Sequence, residues 1–191
     1  MDRLRLFTAL WPDEAVVHAL STRLAGYTEA GEHRGWPPAG WRVTPPDRWH
    51  VTLCFHGDAD RAELTERLAT RAAGRPAPWL RLAGAVRFPA VLAAAVRPAS
   101  PADAEAFAGL VSAAGGEPAE HRAHLTVARA RRGHSRPAGR GPLDDYRGPW
   151  WCPAEVCLVH SERRDGHWHY AVLHREPLGR PAAGPPPDTG P

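Results

Sequence analysis

Two stretches of the chain, "RWHVTLCFHG" at residues 48–57 and "EHRAHLTVAR" at residues 120–129, place a histidine and a threonine two apart inside an apolar, strand-like run. Successive residues of a β-strand alternate faces, so His50 and Thr52 share one side of their strand, as do His124 and Thr126. Each motif strand follows a helix-containing segment. That repetition predicts two faintly similar halves related by an approximate two-fold axis, with the motif strands facing each other across a cleft.

The rest of the pattern fits that plan. "RLRLFTAL" alternates as a first strand and stops at "WPDE", where Pro12 opens a helix with Asp13 and Glu14 in its first turn. Val16, Val17, Leu20 and Leu24 form one apolar stripe, carrying the helix to about Gly26. A Gly/Pro-rich loop covers residues 31–40, and "WRVT" and "WHVTLCF" are strands around a "PPD" turn. Asp60 and Glu63 resemble a capping box for a helix to about Ala73. "WLRLAGAVRF" and "AVLAAAVR" are adjacent strands across Pro89. Pro101 then opens a helix that the Gly115–Gly116 pair ends. After "AHLTVARA" comes an arginine-rich loop, Arg131 to Gly141, and finally "AEVCLVHSE" and "HWHYAVLH", joined by the hairpin signal "RRDG". The expected class is therefore α+β: bilobal, two mostly antiparallel sheets, helices outside and a central cleft. Residues 1–178 form one domain, and the Pro/Gly-rich 179–191 form a disordered tail.

Composition narrows the chemistry. All 24 basic residues are arginine, and Lys, Asn, Gln and Ile are absent from the 191 residues. Without lysine there is no Schiff base, no lysyl-nucleotide intermediate of an ATP-dependent ligase and no P-loop lysine to hold a triphosphate. Arginine favours planar, bidentate phosphate contacts, and a net charge of +3 permits an anionic partner without demanding one. Cys54, Cys152 and Cys157 are an odd number without C-x-x-C spacing, which suggests reduced, structural thiols. No run approaches the length of a membrane helix, and the N-terminus lacks a signal-peptide pattern, so a cytoplasmic location without membrane contact is expected.

If the motif strands meet, two imidazoles and two hydroxyls converge. Imidazole titrates near neutrality, so one ring can act as base and the other as acid while the hydroxyls hold a negative group between them. In-line displacement at phosphorus suits this set. A base takes a proton from water on one side, an acid protonates the departing oxygen on the other, and no metal or cofactor is required. Each motif alone has a bland reading as a core histidine with a satisfied nitrogen.

Four ordered blocks, "RLFTALWPDE", "VTPPDRWHVTLCFHGD", "HRAHLTVAR" and "AEVCLVHSE…HYAVLHREPL", resemble the two-histidine phosphoesterases, and within them the RNA 2′,3′-cyclic phosphodiesterases first named 2′-5′ RNA ligases. The resemblance covers almost the whole chain to about Leu178. It implies a bilobal α+β fold and hydrolysis of RNA or oligonucleotide 2′,3′-cyclic phosphate ends to 2′-phosphomonoesters, without metal. His50 would be the proton donor to the leaving 3′ oxygen, His124 the acceptor that activates water, and Thr52 and Thr126 would hold the non-bridging oxygens. The resemblance also implies a base or ribose contact for Phe55 and a phosphate contact for Arg129. Strand parity points the other way for both, because each lies five residues after its histidine, unless the strand bends or ends first. The chain departs from the family at Ala123, where proline is usual, at Thr8, where an aromatic is frequent, and at "VLAAAV", where a tryptophan is frequent.

Other signals are weaker. His167 and His169 share a strand face without a third metal ligand nearby in sequence, so no metal site is expected. Arg129, Arg131, Arg132, Arg136 and Arg140 form either an electrostatic footprint for RNA or a solvated loop. The eight tryptophans, among them Trp36, Trp41, Trp49 and the Trp150–Trp151 pair, are either base-stacking platforms or core. A monomer acting on RNA ends is expected. The same site could run in reverse as ATP-independent 2′-5′ joining, and a non-catalytic RNA-end binding module is the reading from another class.

Overall fold

The computed structural model describes residues 3–29, 37, 39–134, 141–165, 167–184 and 186. The elements run β1 (Arg3–Leu10), α1 (Glu14–Glu29), β2 (Trp41–Val43), a single 3₁₀ turn (Pro46–Arg48), β3 (Val51–Asp60), α2 (Arg61–Arg71), β4 (Leu80–Phe88), β5 (Val91–Pro98), α3 (Pro101–Ala114), β6 (His124–Ala130), β7 (Arg147–Trp151), β8 (Glu155–Arg164) and β9 (His167–Pro177). The helix ends obey local chemistry. The Asp13 carboxylate accepts from the Val16 N–H at 2.9 Å, Asp60 accepts from the N–H groups of Ala62 and Glu63, and Ser100 caps α3 through the Asp103 N–H. Gly115 ends α3 at φ +94°, a left-handed conformation that glycine adopts without a Cβ penalty.

The class is α+β as expected, but the strands form one sheet and not two. Among the described residues a nine-stranded sheet runs β7-β4-β5-β6-β3-β1-β8-β9, with β2 added on β6. The two motif strands lie side by side at its centre, and their antiparallel pairing consists of a single register pair, Val51 opposite Leu125. That one pair fuses what the alternation predicts as separate sheets. β2 also departs from the simplest reading of "WRVTPPDRWHVT": it pairs with β6 in the second half of the chain and not with its neighbour β3. β7, "RGPWW", is an edge strand that its Gly and Pro disguise in the sequence.

The helix-facing side of the sheet is the core. Leu6, Leu10, Val51, Leu53, Leu82, Val96, Leu125 and Val127 are buried there with Val16, Leu20 and Leu24 of α1 and Leu110 and Val111 of α3. Val17, expected on the α1 stripe, sits at its half-buried border. Burying each such side chain contributes about 1.5–3 kcal/mol. Leu125 is fully buried at the seam, so Leu125→Ala is expected to cost about 2–5 kcal/mol in urea unfolding and to loosen the junction between the motif strands.

At the C-terminus, Gly179 donates to the Arg75 carbonyl at 2.7 Å and accepts from the Ala77 N–H at 3.3 Å, so the first residue of the expected tail is tied to the body. Residues 185 and 187–191 of that tail lie outside the described residues, as do Trp36, Arg136 and Arg140. No helix among the described residues is long and apolar enough to cross a membrane.

Candidate active site

The Val51–Leu125 pair sets the geometry of the site. In an antiparallel pair the flanking residues follow in opposite directions, so His50 comes beside Thr126 and Thr52 beside His124. The four expected groups therefore alternate around one patch on the side of the sheet opposite the helices, with the two rings on its diagonal. Diagonal neighbours of this kind stand about 7–8 Å apart. His50 and Thr126 line one part of the cleft, His50 and Thr52 its continuation, and Arg129 lines both.

A matching backbone contact orients each imidazole. His50 Nδ1 lies 2.7 Å from the Arg48 carbonyl and His124 Nδ1 lies 2.6 Å from the Arg122 carbonyl. A carbonyl oxygen only accepts, so both Nδ1 atoms carry the hydrogen and both Nε2 atoms are left for chemistry. Phe7, Trp11 and Tyr170 enclose the His50 ring, with centroids at 4.9, 5.5 and 5.3 Å, and Phe88 packs on His124 at 4.9 Å. His121, from the approach to β6, donates through Nε2 to the Thr52 carbonyl at 2.9 Å, a second tie between the strands that carry the motifs.

These surroundings set the charge states. Burial is the largest influence on His50 and pulls its pKa down to about 4; the Arg48 carbonyl opposes that shift, while Arg129 and His124 add to it by repulsion. His124 is also lowered, chiefly by burial, with the Arg122 carbonyl opposing and His121, Arg129 and Arg122 adding repulsion. Both shifts favour the neutral imidazole, most strongly at His50.

Phe55 and Arg129 reach the cleft despite their odd offsets, because each motif strand carries a bulge. In β3 the register moves from Thr52 opposite Ala9 to Cys54 opposite Thr8, skipping Leu53; in β6 it moves from Thr126 opposite Ala93 to Ala128 opposite Leu92, skipping Val127. One extra residue restores the parity that an offset of five destroys. Leu53, Val127 and Ala128 consequently face the core, while Phe55 and Arg129 are exposed on the cleft side. The same bulge turns Thr8 away from the cleft, where its hydroxyl meets His56 Nε2 at 2.9 Å, and Phe7 supplies an aromatic ring to the cleft wall instead. Ala93 and Ala95 lie opposite Thr126 and His124, so "VLAAAV" gives that side a low floor.

Several cleft residues had no role in the sequence reading. Tyr170 and Trp168 on β9, Arg5 on β1 and Arg42 and Arg48 near β2 all line it. The Arg5 guanidinium stands 4.7 Å from the Phe55 ring and 5.1 Å from the Trp168 ring, and both rings are exposed. Alternation in "HWHYAVLH" marks a strand but not which strand it lies beside, so nothing local could have assigned Tyr170 to His50. Trp41, Trp49 and Trp151 are core, with the Trp49 indole donating to the Thr44 carbonyl at 2.8 Å. Among the described residues no group of three His, Cys, Asp or Glu side chains could hold a metal ion.

Residues 28–97, which include the first motif, match the family model described as LigT like Phosphoesterase. E. coli LigT, solved in complex with ATP, superimposes with a TM-score of 0.68 over 93% of this chain and 99% of its own at 21% identity. The chain shares the fold of LigT. A Thermus thermophilus protein gives a TM-score of 0.65 at 25% identity, covering 94% of this chain and 100% of its own. E. coli LigT has also been solved with phosphate and with 3′-AMP, at TM-scores of 0.68 and 0.66. No curated protein matches the sequence. The LigT-like fold extends across both halves, whereas the family model stops short of His124, so the second motif rests on the geometry described above.

Proposed function

We propose that the protein hydrolyses RNA or oligonucleotide 2′,3′-cyclic phosphate ends to 2′-phosphomonoesters, using His50 and His124 as acid and base. The observation that carries this reading is the mirrored placement of two Nδ1-anchored imidazoles on the diagonal of one patch, with a threonine beside each. His124 Nε2 takes a proton from water as its oxygen bonds to phosphorus. The bond from phosphorus to the 3′ oxygen breaks, and His50 Nε2 delivers a proton to that oxygen. Thr52, Thr126 and Arg129 bear the charge on the non-bridging oxygens. The phosphate and 3′-AMP complexes of E. coli LigT add support for an anion of this size in the fold.

The lowered pKa values shape the pH dependence. One ring must be charged and the other neutral, and kcat/KM reports the free enzyme. Its bell is therefore expected to peak on the acid side of neutrality, between about 4, the His50 value, and the His124 value, which lies under 6.5. Binding a phosphate anion favours imidazolium, so the kcat bell is expected at higher pH than the kcat/KM bell. A kcat/KM maximum above pH 7 would contradict the burial of these rings.

The deciding experiment incubates the protein with a nucleoside 2′,3′-cyclic phosphate, with and without chelator, and identifies the product. A 2′-phosphomonoester formed at equal rates supports the reading; a 3′ product contradicts the assigned bond, and chelator sensitivity contradicts the two-histidine scheme. Microscopic reversibility gives the same groups a 2′-5′ joining reaction, which is tested with RNA ends bearing a free 5′-hydroxyl. Tight binding of the cyclic compound without turnover of either kind identifies a binding module instead.

A further inference from the structure

The sheet face that carries His124 does not end at the cleft. On β5, Ala95 lies opposite His124, and Arg97, two residues on, shares its side of the sheet. Arg97 lies opposite Arg81 on β4, and Arg81 opposite Trp150 on the edge strand β7. Arg147 joins the same side opposite Ala83. The alternate residues, Leu80, Leu82, Val96 and Trp151, are all buried in the core, which confirms the parity of the row. A strip of Arg97, Arg81, Trp150 and Arg147 thus leads away from the active-site patch on one continuous face. The Arg81 guanidinium sits 4.1 Å over the Trp150 ring, and Arg97 and Arg147 are exposed.

Arg81 and Arg97 are cross-strand neighbours, so this face concentrates positive charge beside the active-site patch. Asp144 and Asp145 border the strip, and Asp145 is ion-paired with Arg23. Positive charge interleaved with a stacked aromatic is the surface that single-stranded nucleic acid uses, phosphates on arginine and bases on ring or guanidinium planes. Strand spacing puts Arg97 about 8 Å, Arg81 about 12 Å and Trp150 about 16 Å from His124 along the sheet.

We infer that this β5–β4–β7 strip is the track for the RNA strand leading up to the cyclic end, with Arg97 and Arg147 on its phosphates and the Arg81–Trp150 stack under a base. The inference rests on the proposed action at RNA ends and makes the enzyme prefer oligonucleotides over free cyclic mononucleotides. It assigns length preference to a face of the sheet separate from the groups that perform the chemistry.

The test uses the full chain and the double variant Arg97→Ala/Arg147→Ala, whose two sites are exposed. A 5′-fluorescein-labelled hexaribonucleotide ending in 2′,3′-cyclic phosphate is titrated by anisotropy at several salt concentrations, and turnover of the mononucleotide is measured in parallel. Weakening of hexanucleotide binding by about tenfold, with the salt slope reduced by roughly 0.7 per arginine removed, is expected. Mononucleotide kcat/KM and the melting temperature should stay unchanged. Unaltered hexanucleotide affinity and slope in the variant, or no binding by the wild-type protein, overturns the track. An equal loss on both substrates overturns it as well. Arginine-dependent hexanucleotide binding by a wild-type protein that turns over no cyclic phosphate leaves the track standing and removes the proposed hydrolysis. Arg81→Ala, read the same way, separates the stack from the charges.

Discussion

His50→Ala and His124→Ala are each expected to lower kcat/KM for a nucleoside 2′,3′-cyclic phosphate by about 10²–10⁴-fold, the range that a positioned general acid or base contributes. The losses should not multiply in the double variant, because removal of either ring already disables the concerted transfer. A second substrate separates the two roles. A phosphodiester whose leaving group is p-nitrophenolate departs without protonation, so His50→Ala should recover most of its rate there while His124→Ala stays slow. Recovery by the His124 variant instead would exchange the assignments of donor and acceptor. Full activity in either variant on the cyclic substrate would remove that histidine from the mechanism.

Thr52→Val and Thr126→Val keep side-chain shape and delete only the hydroxyl. Donors aimed at charge that develops on the non-bridging oxygens act mainly in the transition state, and removing one typically costs about 10²–10³-fold in kcat. Each valine variant is therefore expected to lose kcat with little change in KM. The register adds a finer expectation: Thr52 stands beside His124 and Thr126 beside His50, so each variant should perturb most strongly the titration of the histidine across the seam. A loss confined to KM would show that the hydroxyls bind ground state and transition state alike.

The four candidate site residues were legible in the sequence because i, i+2 alternation is a local rule: it placed each histidine with its threonine without knowledge of the partner strand. The start of α2 was legible for the same reason, since Asp60 hydrogen-bonds N–H groups two and three residues on. What the sequence did not carry was anything decided by pairing. The bulges at Leu53 and Val127 have no glycine or proline to announce them, yet they alone bring Phe55 and Arg129 to the cleft. The merging of two sheets depends on a single pair, Val51 with Leu125, and the placement of Tyr170 against His50 depends on β9 reaching the first half of the chain. The LigT-like fold supplies these long-range facts; the motif supplied only its own faces.

The central claim is that both rings hold Nδ1–H against a carbonyl and turn Nε2 toward one shared anion. Nitrogen-15 NMR of the histidine side chains, recorded across pH with and without a nucleoside 2′-monophosphate, tests it most directly. The account predicts Nδ1–H tautomers at both His50 and His124 in the free protein, both titrating below 6.5, and both pKa values rising when the nucleotide binds. A nucleotide that shifts one ring and leaves the other untouched, or Nε2–H tautomers at either position, would contradict it.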